Sequence, residues 1–136
     1  MIRISTSETT VITDSLITRC MTIGEKILID FDRIDREIDV YFTDDIEIHR
    51  LNKEYRGKDM PTDVLSFRLN DPYDSLEGEI IISRDSAERQ RGERSCDDEC
   101  MVLFIHGMLH ILGYDHETDD EYEEMHHEEM KYLPYA

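Results

Sequence analysis

The chain has 136 residues, of which 39% are hydrophobic, and a formal net charge of −18. This length fits one globular domain with a single core, and no apolar run approaches the ~20 residues needed to cross a bilayer. Three cysteines, an odd number, exclude a complete disulfide framework, and the first ten residues lack the apolar stretch of a secretory signal, which predicts a cytoplasmic protein.

The first half of the chain alternates between strand and helix patterns. In chain order, the predicted elements are a strand at 1–6, a helix within 11–30, a strand at 37–43 and a helix at 46–55. Asp44 or Asp45 is expected to cap the second of these helices, because a carboxylate there can accept a hydrogen bond from the first turn.

The second half predicts a hairpin followed by helices. The predicted elements are strands at 63–69 and 78–83 and helices at about 84–91, 97–112 and 119–132. The loop "NDPYDSLE" has the Pro and Asp turn chemistry of an antiparallel hairpin, and Gly113 is placed to end the fourth helix. Together the elements predict one α+β domain over residues 1–136, mixed α/β in character, with a sheet of about four strands packed with about five helices.

The charged residues are unevenly distributed along the chain. Residues 115–129 hold nine acidic residues and no Lys or Arg, which is typical of a solvated helix face. Residues 50–58, in contrast, hold four basic residues and one acid. They form a local basic strip in a chain whose negative net charge disfavours binding of nucleic acid.

Cys96 and Cys100 have the spacing of a metal-binding pair or of two ordinary helix residues, and the latter interpretation is favoured.

The stretch "HGMLHILGYDH" contains the strongest chemical signal. His106 and His110 are four residues apart and project from one face of a helix. Gly113 permits a sharp turn that returns His116 to the same point. Three neutral nitrogen ligands and one open position are the arrangement of a catalytic zinc ion, although imidazoles also suit Ni, Cu and Fe(II). The alternative is that the histidines make ordinary hydrogen bonds.

The same stretch coincides with the metzincin protease motif, H-E-x-x-H-x-x-G-x-x-H, at every histidine and at the glycine. Gly107, however, stands where that motif has the glutamate that acts as general base. Loss of such a base typically costs about 10²–10⁴-fold in rate. The pattern therefore keeps the metal but argues against proteolysis by attack of water.

Three blocks together resemble one family. "HGMLHILGYDH" is similar to the signature of the YbeY family of bacterial rRNA-maturation endoribonucleases, "LNKEYRGKDMPTDVLSF" (51–67) to its N-x-x-Y-R-x-K-D-x-P-T-D-V-L-S-F segment, and "GEIIIS" with "SAERQ" (86–90) to its strand-then-helix stretch. The resemblance implies a metal-dependent endoribonuclease, specific for single strands, that trims the 3′ end of small-subunit ribosomal RNA, serves ribosome quality control and works with the ribosome.

The resemblance also implies functional residues. By this resemblance, the metal ligands are His106, His110 and His116. Arg56 corresponds to the arginine that the family treats as essential, and it is expected to clamp a phosphate bidentately, with the end of a surface helix as the alternative. Met60 stands where the family commonly has lysine.

Four other polar residues near these motifs leave two interpretations each. Lys58 is predicted to bind substrate phosphate, or to be solvated. Asp63 is predicted to bind substrate in the cleft, or to make a turn hydrogen bond with Thr62. Asp115 either takes a proton or orients a ligand imidazole, and Tyr114 either stacks on a base or packs under the loop.

Two rival functions follow from the same residues. One is a metal-dependent hydrolase of peptides or other small substrates. The other is a ribosome-assembly factor in which zinc only ties the C-terminal loop to the core, a view that the charge of −18 favours. His126 and His127, in the acidic run, are interpreted as a solvated helix surface, with an extra metal contact as the alternative.

Overall fold

The computed structural model describes residues 1–69 and 71–133, and these contain four strands and five helices. The strands are β1 (Ile2–Thr6), β2 (Glu37–Thr43), β3 (Val64–Arg68) and β4 (Leu76–Ser83). The helices are α1 (Asp14–Asp30), α2 (Asp45–Arg56), α3 (Arg84–Gln90), α4 (Cys96–Ile111) and α5 (Asp119–Tyr132). The predicted α+β class is confirmed, with β4 beginning two residues earlier than predicted.

The sheet is mixed and has the order β1-β2-β4-β3. β1, β2 and β4 run parallel, and β3 pairs antiparallel with β4 at one edge, which confirms the predicted hairpin. Because side chains alternate along a strand, Ser66 of β3 points to one face of the sheet and its neighbours Leu65 and Phe67 to the other. This placement makes β3 the strand on which the functional site is built.

The ends of α2 show how local sequence chemistry sets the helix bounds. Asp44, the first of the two predicted capping residues, accepts a hydrogen bond from the Glu47 amide over 2.9 Å. Gly57 ends the helix with a φ of 68°, in the left-handed region that favours glycine. Arg56 therefore stands at the last helical position, immediately before a change in chain direction.

The core lies on the face of the sheet covered by α1 and α4. α4 is buried along most of its length, and side chains such as Phe104 and Met108 pack against Ile80 and Ile82 of β4. A smaller cluster on the opposite face joins Ile48 of α2 to the sheet. No helix within the two described ranges is long and apolar enough to span a bilayer.

The cysteines are free thiols within this core region. Cys20 and Cys100 are buried and Cys96 is partly buried. Burial raises the pKa of the Cys20 thiol to about 12, and burial likewise raises the pKa of Cys100. Neutral, buried thiols are poor metal ligands, which agrees with the interpretation of Cys96 and Cys100 as helix residues.

Candidate active site

A cavity of about 280 Å³ opens between α4, the edge strand β3 and the segment that follows α2. All three predicted metal ligands line it, and so do Arg56 and Lys58. The structure thus brings together five of the six side chains that were predicted to bind the metal or the substrate, although they are up to 60 positions apart in the chain.

The three imidazoles reach the cavity from one helix and one turn. His106 and His110 lie one turn apart on α4, and both are half-buried. His116 follows the turn at Gly113, whose φ of 113° lies in the region that favours glycine. The ring centroids of His106 and His116 are 5.4 Å apart, with an angle of 28° between the ring planes.

The Nδ1 atoms of two of the rings have side-chain partners. His106 Nδ1 lies 3.4 Å from Glu129 Oε1, and a carboxylate can only accept, so this nitrogen carries the proton. His110 Nδ1 lies 2.9 Å from the Ser66 hydroxyl, where either atom could donate. When Nδ1 is the donor, Nε2 keeps its lone pair, which is the form that can bind a metal.

The chemistry of these donors fits a zinc ion. Two imidazoles bound to one tetrahedral zinc, with Zn–N near 2 Å, have ring centres about 5 Å apart, and the observed separation of His106 and His116 is 5.4 Å. As placed, no three His, Cys, Asp or Glu side chains in residues 1–69 and 71–133 are already close enough to hold an ion together. The fit to zinc therefore rests on the donor types and on their common cavity.

The electrostatic surroundings favour a neutral His110. Burial lowers the pKa of this imidazole, and the positive charges of Arg56 and Arg68 act in the same direction, while Asp115 opposes them. A neutral ring is the form of histidine that binds metals.

The cavity has cations without carboxylate partners, which is unusual in this acidic chain. Of the 15 lysines and arginines, eleven lie within 4.0 Å of a side-chain carboxylate oxygen. Among the described residues, the four that do not are Arg56, Lys58, Arg68 and Arg84. The first two line the cavity, and Arg68 donates to the His110 carbonyl over 3.0 Å. Positive charge at this site is therefore available to a phosphate.

Arg56 is held in place by neutral groups. Its Nη2 donates to the Ser66 carbonyl over 2.6 Å, and its guanidinium carbon lies 5.1 Å from the centre of the Phe67 ring. These contacts fix the direction of the side chain while leaving other N–H groups of the guanidinium unused. The same residue, Ser66, thus contacts Arg56 through its carbonyl and His110 through its hydroxyl.

Asp63 is the predicted site residue that the structure does not bring to the cavity. Its carboxylate accepts from the Val64 amide over 2.8 Å and from Gln90 Nε2 over 3.1 Å. Thr62 Oγ1 lies 3.5 Å away, as in the turn interpretation. Contact between Asp63 and a substrate stays a prediction that this geometry does not support.

Gly107 lies on the side of α4 that faces the sheet. A Cβ at this position would lie 2.9 Å from Cγ2 of Ile80, closer than carbon atoms pack. The position where the metzincin motif has its glutamate therefore faces the core and has no room for a side chain. This gives a physical reason for the glycine and agrees with the argument against a metzincin-type protease.

The structure also locates the other residues for which the sequence left two interpretations. Tyr114 packs edge-on against Phe31, with ring centres 6.0 Å apart. Asp115 accepts from the His116 amide over 2.7 Å and lies 3.8 Å from His116 Nδ1, too far for a hydrogen bond, so both interpretations of its role stay predictions. His126 and His127 are exposed on α5.

Three residues of the site were not singled out by the sequence. Ser66 contacts His110, Glu129 contacts His106, and the buried Asn52 donates to the Met60 carbonyl over 2.9 Å and so holds the segment after α2. Ser66 and Asn52 belong to the 51–67 motif, so the motif marked them without giving a role. Glu129 is one of nine acids in a run, and nothing in the sequence distinguishes it.

Comparisons with known proteins show which family the chain belongs to. The family model described as endoribonuclease YbeY matches residues 3–135. The chain belongs to the YbeY family. An endoribonuclease YbeY of Aquifex aeolicus is 46% identical over 101 residues, and one of Nautilia profundicola is 50% identical over 88 residues. These names support an endoribonuclease, whose substrate is RNA.

The matches to YbeY relatives differ in extent. The aligned part covers 71% of this chain and 67% of the Aquifex aeolicus relative, and 63% of this chain and 63% of the Nautilia profundicola relative. The chain thus spans less than two thirds of the second relative. A solution structure of a Thermotoga maritima protein matches 99% of this chain and 88% of its own, with a TM-score of 0.71 and 32% identity. The fold of that Thermotoga maritima protein is therefore shared along almost the whole chain.

Proposed function

We propose that this YbeY-family chain is a zinc-dependent endoribonuclease that cuts single-stranded RNA in the cytoplasm. Its cellular role, in this proposal, is maturation of the 3′ end of small-subunit ribosomal RNA and ribosome quality control, in association with the ribosome. The names of the relatives support the endoribonuclease activity, and the motif resemblance supports the finer assignments.

One observation carries the proposal. Three imidazoles and Arg56, which has no carboxylate partner among the described residues, line the same cavity. A phosphodiester needs charge neutralisation and a means of activating its nucleophile or leaving group, and these are the groups that supply both. A protease base is excluded at position 107 by the contact with Ile80, so the same cavity does not favour peptide hydrolysis by the metzincin route.

The side chains have separate tasks in this mechanism. His106, His110 and His116 would hold the zinc, which when bound supplies Lewis-acid charge toward a phosphate oxygen or an attacking water. Arg56 binds the phosphate and opposes the negative charge that develops on it, and Lys58 adds a second positive charge at the cavity rim. Ser66 and Glu129 orient the imidazoles of His110 and His106 through contacts with their Nδ1 atoms.

Metal removal and restoration test this function. We expect the chelated protein to leave a single-stranded RNA intact, the zinc-restored protein to cut it, and a duplex of the same sequence to resist both. The assay includes a precursor containing the 3′ end of small-subunit RNA, for which we expect cutting near the mature end. A protein that binds zinc and cuts none of these RNAs would favour the assembly-factor alternative.

Ser66→Ala provides a separate prediction for the metal site. Removal of the hydroxyl leaves His110 Nδ1 without its partner, and loss of such an outer contact typically weakens metal binding about 10–100-fold. We expect a zinc affinity lower by about ten-fold or more, measured by competition with a chromogenic chelator. Ser66→Thr, which keeps a hydroxyl, is expected to retain most of the affinity, and equal affinities for all three proteins would contradict the orienting role.

A further inference from the structure

An exposed aromatic ring lies next to the cavity residue Arg56 in the chain and has no part in the function described so far. Tyr55 precedes Arg56 at the end of α2, and 62% of its surface is exposed. Its ring meets Phe67 of β3 edge to face, with centroids 5.8 Å apart and an angle of 69°. The contact therefore fixes the ring, while most of its surface stays open to solvent.

Arg56 connects this ring pair to the cavity. The Arg56 guanidinium lies over the same Phe67 ring, 5.1 Å from its centre, and its Nη2 reaches round the edge of β3 to the Ser66 carbonyl. Arg56 also lines the cavity that holds the three histidines. Arg56 thus has the imidazole cavity on one side and the ring pair of Tyr55 and Phe67 on the other.

We propose that Tyr55, supported by Phe67, is a nucleobase-binding subsite that stacks on a base next to the phosphate held by Arg56. The inference rests on the proposed function and adds a substrate contact to it. Every nucleobase has a flat π-face, so such a subsite accepts any sequence. A base can stack on a side chain only when it has left the duplex, so this contact also selects single strands.

Binding of an adenine oligomer compared with an abasic oligomer tests the subsite. The probes are a 2′-O-methylated oligoadenylate and a ribose-phosphate oligomer of the same length that lacks bases, each labelled with a fluorophore and mixed with zinc-loaded protein. We expect wild type to prefer the oligoadenylate, and Tyr55→Ala to bind it roughly five- to one-hundred-fold more weakly. Tyr55→Ala is expected to bind the abasic oligomer as wild type does, because only stacking is lost.

Two further variants make the result specific. Tyr122→Ala is the matched control, since Tyr122 is also a helical tyrosine with 58% of its surface exposed, but it lies on the acidic helix α5; we expect no change. Tyr55→Trp keeps a stacking ring and gives the chain, which otherwise has no tryptophan, a single one. We expect oligoadenylate, but not the abasic oligomer, to quench its fluorescence.

The outcomes separate the subsite from the function on which it rests. If wild type binds neither oligomer and cuts no RNA, the proposed function is wrong. If wild type cuts RNA, while Tyr55→Ala binds oligoadenylate as tightly as wild type does, the function stands and the subsite is wrong. An equal loss in Tyr122→Ala would also overturn the subsite, because the effect would then not be local to Arg56. Unfolding curves that match wild type show that each variant is folded.

Discussion

Arg56→Ala is expected to lower the rate of RNA cleavage by about 10²–10³-fold, the usual cost of removing one group that stabilises transition-state charge. The side chain is exposed, and among the described residues it contacts the Ser66 carbonyl and the Phe67 ring, so we expect the fold and the zinc content to stay unchanged. The measurement is the cleavage rate of a single-stranded RNA at stated salt, with zinc content and thermal unfolding recorded for each preparation.

Two variants act as controls for Arg56. Arg50→Ala removes an equal charge from the same helix, but Arg50 already pairs with Glu47 and Glu54, and little change in rate is expected. Arg56→Lys keeps the charge without the planar fork and is expected to recover only part of the rate. Full activity in Arg56→Ala, in a preparation free of contaminating nuclease, would remove the residue from the mechanism and favour the assembly factor.

Gly107→Glu is expected to lose at least about 4 kcal/mol of folding free energy, through overpacking and the burial of an unpaired carboxylate. A loss of that size approaches the whole stability of many domains, about 5–15 kcal/mol. The variant restores the metzincin residue in sequence, but a Cβ at this position already meets Ile80 at 2.9 Å. We therefore expect little folded protein and no gain of peptide hydrolysis, as checked by urea unfolding and by a peptidase assay.

Gly107→Ala and Ile80→Ala turn this packing argument into a double-mutant cycle. Gly107→Ala alone adds the close contact, at about 1–3 kcal/mol, partly offset by about 1 kcal/mol of better helix propensity. In the Ile80→Ala background the contacting atoms are absent, so the same change should become neutral or stabilising. Additive effects in the cycle would show that Ile80 is not what excludes a side chain at position 107.

The sequence predicts the elements of this fold well because their signals are local. The alternation in residues 37–43 and the helical spacing around His106 depend on neighbours only, and both elements are present. The order of the strands could not be read, since pairing of β2 with β4 joins residues about 40 positions apart. The sequence predicts that β4 begins at Gly78 rather than at Leu76, because the polar residues before the "GEIIIS" run resemble those of a loop.

For the site, spacing predicted which histidines share a cavity, and it missed the residues that contact them. Three histidines within one helix and its turn could be predicted to share a cavity, as they do. Asp63 illustrates the limit: its sequence position beside the 51–62 motif suggests the cleft, but its carboxylate is used by Val64 and Gln90. Contacts between distant segments, such as Ser66 with His110, depend on the tertiary structure alone.

The position of β3 at the rim of the sheet has a consequence for how the site tolerates change. Ser66 of this strand accepts a hydrogen bond from Arg56 with its main-chain carbonyl and contacts His110 with its hydroxyl. A movement of the whole strand that keeps its register would move the carbonyl and the hydroxyl of Ser66 together and preserve the spacing between them. A slip in register by a single residue would instead turn Leu65 or Phe67 toward His110, and the contacts of Ser66 with Arg56 and with His110 would be lost together.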